Sequence, residues 1–358
     1  MDEVKTLCDF KTGTRFSRIH EECRRRRSVQ VHNREPGFLL LIFILSLLLL
    51  PFRLSAIPVD RRAGANDLLV SDDIACIADI TGVILLDVSN PSRPVSISRI
   101  TTPGEAAGVA LQAGILYVAD GPEGLRSYDV SDPSKPVHLS HVAIEGYTES
   151  IWVSGPLAYL AAREEGFQIV DLTAGRHGGV ISKLKSKDKT EDLCIRNMTV
   201  FCAQRRAGFL IADTTDRKNP SVKNIIDTPG TCLSLFADDD LLFIADEWSG
   251  IHLYTQTPDY KVSYQSSIRP GGSIWHVAAR DGFAFAADSL GRMHILDYSD
   301  SSNPRRIKSI ETPSRTVRVL LKGNKVFALT DTLLLIYDIS SPADPRFLGS
   351  FDFLDLIK

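Results

Sequence analysis

The sequence predicts an all-β fold, a seven-bladed β-propeller of four-stranded antiparallel blades, from three observations: a repeat near 42 residues, four short strand patterns in each period, and a spacing that barely varies. The repeat is most legible at Gly82-Val83-Ile84-Leu85-Leu86-Asp87. It returns at residues 124–129, 166–171 and 208–213, and less faithfully at 250–255, 291–297 and 332–338. Its closing positions, 87, 129, 171, 213, 255, 297 and 338, give five steps of 42 and one of 41. A fixed period of that size makes most of the chain one quasi-symmetric unit whose copies bury their faces on one another.

Five segments follow in order. Residues 1–36 are polar and aperiodic, with nine Lys/Arg, among them Arg24, Arg25, Arg26 and Arg27, against six acids; this composition reads as a disordered tail. Residues 37–52 are uncharged and strongly apolar. As a helix they would span about 24 Å, short of a hydrocarbon core of about 30 Å, so a signal-peptide core and a signal anchor both remain open. The long polar lead also raises a later translation start, at Val29 or Val31, against a cytosolic tail. Residues 53–65 form a linker, 66–353 the propeller, and 354–358 a C-terminal tail. The expected location is extracytoplasmic, either secreted or held at the membrane by the N-terminal segment alone.

Within the propeller the first strand of each copy shows two apolar columns. One is Leu68, Val109, Ile151, Leu193, Leu235, Val277 and Val319; the other, two residues on, is Val70, Leu111, Val153, Ile195, Ala237, Ala279 and Leu321. A period of two denotes strand. A Gly, Asn or Asp turn leads to a second strand such as Tyr117-Val118-Ala119-Asp120, and the opening motif is the third. A loop such as Ser131-Asp132-Pro133-Ser134-Lys135-Pro136 then precedes the fourth. Four short strands per period match a propeller blade and not the helical pairs of HEAT or armadillo repeats.

The motif Gly-Leu/Phe-x-Ile/Leu-x-Asp-Val/Leu-Ser/Thr-Asp/Asn-Pro-x-x-Pro resembles the LVIVD-repeat family, best in copies 82–94 and 124–136. The resemblance implies a β-propeller on an exported or surface protein. Copies three and five depart from it, with Gly178 and Val262 in place of Pro and Thr255 in place of Asp.

Charge and motif content exclude several function classes. Lys+Arg total 41 and Asp+Glu 44, a formal charge of -3, so no overall basic surface attracts nucleic acid. The six cysteines, Cys8, Cys23, Cys76, Cys194, Cys202 and Cys232, lack metal-ligand spacing and read as structural thiols. His138 and His141 point to opposite faces of one strand. No metal or cofactor is implied. The recurring aspartate precedes a turn, where a short carboxylate fixes a loop by accepting backbone N–H groups.

Propeller geometry puts the fourth-to-first and second-to-third loops on one face. The candidate binding residues there are Trp248, Trp275, His276, Arg206, Arg318, Glu149, Glu191 and Asp192. Aromatics among charges of both signs suit a recognition surface. The competing reading is that both tryptophans plug the channel mouth and the charges are solvated. Trp152, in register with Cys194, Phe236 and Leu320, is expected in the core. Asn197-Met198-Thr199 is the lone usable glycosylation sequon, on the opposite face. The function expected is a non-enzymatic module at the cell envelope that binds a protein or a glycan. The alternative is an extracytoplasmic hydrolase or lyase using Glu149, Glu191 and Asp192 as acid and base.

Overall fold

The computed structural model describes residues 64–173, 179–238 and 240–356. The polar tail, the apolar run 37–52, the linker, and Cys8 and Cys23 lie outside the described residues, apart from the last two linker positions.

Among the described residues twenty-eight strands form seven separate four-stranded sheets, each built from four consecutive strands. The innermost strands are β1 (Ala65–Ser71), β5 (Gly108–Gln112), β9 (Ser150–Ser154), β13 (Asp192–Arg196), β17 (Ser234–Asp238), β21 (Ile274–Arg280) and β25 (Thr316–Lys322). Each begins one of blades 1 to 7. All pairings within the blades are antiparallel, as in β1 with β2 (Ile74–Asp79), β2 with β3 (Gly82–Asp87), and β3 with β4 (Val95–Thr101). The predicted seven-bladed propeller is therefore the observed fold. Among the described residues no helix is long and apolar enough to cross a membrane.

The predicted apolar column from Leu68 to Val319 is buried in every blade. These side chains pack between blades, so each core cluster draws on two neighbouring sheets. Tyr117, Ala119 and Leu125 of blade 2 pack with Ile151, Ala158 and Leu160 of blade 3, for example. The small residues that recur in second strands, such as Ala158, Ala245 and Ala286, let the sheets approach closely. Cys76, Cys194, Cys202 and Cys232 are buried free thiols. Burial pushes Cys76 up to about 12, which keeps it protonated and inert.

Every blade has a register shift between its third and fourth strands at one repeat position, at Leu85/Leu86, Ser127/Tyr128 and Ile169/Val170 in the first three and at equivalent sites in the rest. Such bulges increase local twist and spoil the outer strand as a template for further pairing.

The recurring aspartate does what its place before a turn predicts. Oδ1 of Asp87, Asp129, Asp171, Asp213, Asp297 and Asp338 accepts the N–H of the Ser or Thr two residues on, at 2.8 or 2.9 Å. The Thr215 hydroxyl and N–H hold Asp213 down to about 2, and the Ser299 N–H and hydroxyl hold Asp297 there, because such bonds favour the ionised form.

The ring closes without a shared strand. Blade 7 packs directly on blade 1, with Leu68, Ile77 and Leu86 in one cluster with Phe327, Leu334 and Ile336. Phe353, just beyond β28 (Arg346–Asp352), is fully buried in that cluster, and its N–H donates to Thr332 O at 3.1 Å.

Candidate functional site

The predicted loop face surrounds a funnel of about 700 Å³ at one mouth of the central channel. Its wall comes from the first residues of the innermost strands and the loops around them. Repeat register explains this. Positions 66, 107, 149, 191, 233, 275 and 317 form one ring, Asn66, Ala107, Glu149, Glu191, Leu233, Trp275 and Val317, and all seven line the funnel. In the next ring Ser150, Asp192, Ser234, His276 and Arg318 line it as well.

Six of the eight candidate residues are thereby brought together: Glu149, Glu191, Asp192, Trp275, His276 and Arg318. Trp248 and Arg206 are not among the lining residues. They occupy exposed tips of second-to-third loops, and Trp248 is 63% exposed.

The funnel's charges are paired in a repeating pattern. Arg163 Nε donates to Glu149 Oε2 at 2.6 Å, and 42 residues on Arg205 Nη1 donates to Glu191 Oε1 at 2.7 Å. Both arginines hold left-handed backbone, φ 40° and 47°, at the turn position that Gly121 fills in blade 2 with φ 53°. That conformation costs a side-chain-bearing residue about 1 kcal/mol or more, and Glu247 of blade 5 holds it too, with φ 51°. Burial raises Glu149 above the ordinary carboxylate range; Arg163 opposes the rise and Glu191 adds to it.

The other half of the wall is aromatic and cationic. The Arg315 guanidinium lies 5.2 Å from the Trp275 ring centre and pairs with Asp331 at 2.7 Å. Trp275 Nε1 donates to Ser273 Oγ at 3.1 Å, which fixes the indole. Across the funnel the Arg163 guanidinium stacks 3.7 Å from the Tyr147 ring centre. Arg318 pairs with buried Asp67 at 2.7 Å. Ser150 Oγ donates to Asp192 Oδ1 at 2.8 Å, linking blades 3 and 4.

His276 is 9% exposed, and its Nδ1 has no hydrogen-bond partner among the described residues. Burial, reinforced by the Arg318 charge, holds the imidazole well below its usual range and therefore neutral.

One expectation needs correction. Trp152 is not core: it is 42% exposed, and its strand neighbour Ile151 takes the buried side. Cys194 and Ala278, which share the column of Trp152, are buried, so the exposure is particular to blade 3. Asp79, Asp120, Asp246 and Asp288, where the second strands pass into the second-to-third loops, are fully buried. Asp79 pairs with Arg99 at 2.7 Å and Asp120 with Arg126 at 2.8 Å. Asp120 and Asp246 also accept the N–H groups of Gly104 and Gly230, which pins the preceding inter-blade loop.

Sequence reasoning did not select Arg163, Arg205, Tyr147, Ser234 or Arg315 as site residues. A signal existed for the first two, because Glu149 and Arg163 recur as Glu191 and Arg205 with an unchanged offset. Asn197 sits exposed on the turn between β13 and β14 (Thr199–Ala203), in a left-handed conformation that asparagine tolerates, away from the funnel.

The LVIVD repeat matches this chain at residues 63–102, 103–143, 145–174, 271–312 and 316–353, which together cover more than half of it. The chain belongs to the LVIVD-repeat family. The stretch between matches, 175–270, holds blades 4 and 5, so the LVIVD-repeat ring keeps its geometry where the motif text fades. Among solved structures the propeller is similar to the computationally designed Ika8 protein, with a TM-score of 0.59 and 9% identity over 75% of this chain and 80% of that one. At that identity the likeness is one of fold. No curated protein matches.

Proposed function

We propose that this LVIVD-repeat propeller is a non-enzymatic binding module that recognises a glycan at the channel mouth, displayed outside the cytoplasm behind the apolar segment 37–52. The observation that carries the reading is the concave wall, about 700 Å³ of space bounded by Trp275 and Tyr147 and by fixed polar side chains. A site of that volume suits a ligand of a few sugar rings. An indole held by Ser273 and Arg315 offers a rigid apolar platform, and the surrounding charge pairs offer hydrogen bonds at low entropic cost. The test is binding of the full chain and its Trp275→Ala variant to an immobilised array of polysaccharides. Wild-type binding lost in the variant is expected; capture of envelope proteins alone, with no glycan bound, would reject the reading.

One observation favours a second reading. Glu149 is raised toward the neutral form beside Glu191 in one cavity, the arrangement a general acid requires. A hydrolase or lyase would release new sugar ends from the bound glycan, and Glu149→Gln would stop that release. Against it, both carboxylates are already engaged by arginines.

A further inference from the structure

Two side chains on the funnel wall stand apart from the charge pairs. Ser234 and His276 occupy the same repeat position in adjacent blades, 42 residues apart, and both line the cavity. Ser234 is 3% exposed and His276 9%, yet Ser234 Oγ and His276 Nδ1 have no hydrogen-bond partner among the described residues. Buried polar atoms are almost always satisfied, and leaving one unmet costs about 1–3 kcal/mol. Two such atoms, in residues that both line one cavity, are what a site shows when its ligand supplies the partners.

The ions of the wall narrow the ligand class. Each of its five cations, Arg163, Lys189, Arg205, Arg315 and Arg318, already holds a carboxylate. Asp192 and Glu105 remain as acids met by the neutral donors Ser150 and Asn66. Every cation of the wall is thus engaged, so an anionic sugar meets no open cation.

Resting on the glycan reading above, we propose that the funnel selects an uncharged sugar residue, whose hydroxyls pair with Ser234 Oγ and His276 Nδ1 while its ring face lies on Trp275. A neutral imidazole serves this role because Nδ1 either accepts from or donates to a hydroxyl, according to tautomer. An unpaired ion there would instead demand a counter-charge.

The experiment compares the full chain with Ser234→Ala, His276→Ala and His276→Gln for binding to three sets of probes at low and high salt. The sets are neutral oligomers of glucose, mannose, galactose and N-acetylglucosamine; the acidic polymers polygalacturonate and heparan sulfate; and the cationic polymer chitosan. Expected is binding of one or more neutral oligomers, weakened about tenfold by either alanine variant, as for loss of one well-placed hydrogen bond. His276→Gln should recover part of it, and salt should change it little. Because an alanine variant could misfold, the wild type also carries ring-nitrogen NMR labels; the His276 Nδ1 resonance should shift on adding the neutral oligomer. Preference for an acidic or cationic polymer with steep salt dependence would overturn the selection of a neutral sugar while leaving the glycan reading intact. So would neutral binding unaffected by both alanine variants with no shift at His276. Binding to no glycan of any set would overturn the glycan reading itself.

Discussion

Arg318 Nε of the last blade lies 2.7 Å from Asp67 Oδ1 of the first. The same carboxylate accepts the N–H of Leu68 at 2.7 Å and of Val109, in blade 2, at 2.9 Å. One buried side chain thus joins blades 7, 1 and 2 at the seam of a ring that has no shared strand. Burial nonetheless raises Asp67 above the usual carboxylate range, so even with Arg318 beside it the charge is costly.

Arg318→Leu should therefore destabilise the propeller by about 3 kcal/mol at neutral pH, the usual cost of stripping one partner from a buried pair. Without the guanidinium Asp67 rises further, so it sheds the penalty by taking up a proton in acid. A raised folded value is stabilising at low pH and loses that contribution as pH rises. The gap between wild type and variant should widen from acid to neutral pH in urea unfolding. A gap independent of pH would separate the loss from Asp67.

A second seam contact is purely steric. In blades 1, 3 and 5 an outer-strand serine hydroxyl donates to a loop carbonyl of the next blade: Ser98 to Pro133, Ser182 to Arg217 and Ser266 to Ser301. At the seam this position is Gly349, and a Cβ there would lie 2.4 Å from Pro91 O. Gly349→Ala should cost about 1–3 kcal/mol, as overpacking does. Gly179→Ala, where a Cβ meets nothing within 4 Å, should be close to neutral. Calorimetric melting of the two variants checks this; equal melting points would show that the seam tolerates the methyl group.

The turn aspartates predict behaviour in acid with the opposite sign to Asp67. A lowered folded value contributes stability that is complete above the ordinary value of 3.8 and vanishes as pH falls through about 2, the position of Asp297. Asp297→Asn keeps an oxygen to accept the Ser299 N–H but loses the charge that faces Arg305 at 2.8 Å. The wild type should melt higher than the variant above 3.8, and the difference should close as pH approaches 2. A difference that persists at the acid end would mean the turn does not depend on the ionised form.

The ring, its blade count and its turn carboxylates were legible because each is periodic, and a period survives substitution at single sites. The face of the funnel was legible for the same reason, since Glu149, Glu191 and Trp275 share one register position. Pairing was harder to read. Nothing in the text around Asp79 or Asp120 distinguishes a solvated loop carboxylate from one buried under Arg99 or Arg126, because the partner lies on the fourth strand in the first case and on the third in the second. Ser234 was invisible as a site residue, since a serine at a strand start is ordinary until its neighbours are known. Trp152 was misplaced because it shares a column with Cys194, Phe236 and Leu320, and a column average carries no signal for the one blade that departs from it.

The three tryptophans give the sharpest separation of roles. Trp152 is 42% exposed, so Trp152→Ala should change stability by no more than about 0.5 kcal/mol. Phe201, fully buried in the neighbouring blade, should cost about 3–5 kcal/mol on truncation to alanine. Trp248 stands on a loop tip outside the funnel lining, whereas Trp275 forms part of the wall and packs with Arg315. Trp248→Ala and Trp275→Ala should therefore differ in function more than in fold. Loss of the Trp275 indole removes a stacking surface, so glycan capture should fall at least tenfold, on the order of 1.4 kcal/mol. Trp248→Ala should keep capture within about twofold, because an exposed side chain with no ligand wall behind it contributes little desolvation. Surface plasmon resonance on the immobilised polysaccharide measures both. Greater loss in Trp248→Ala than in Trp275→Ala would move recognition from the funnel to the rim of blade 5.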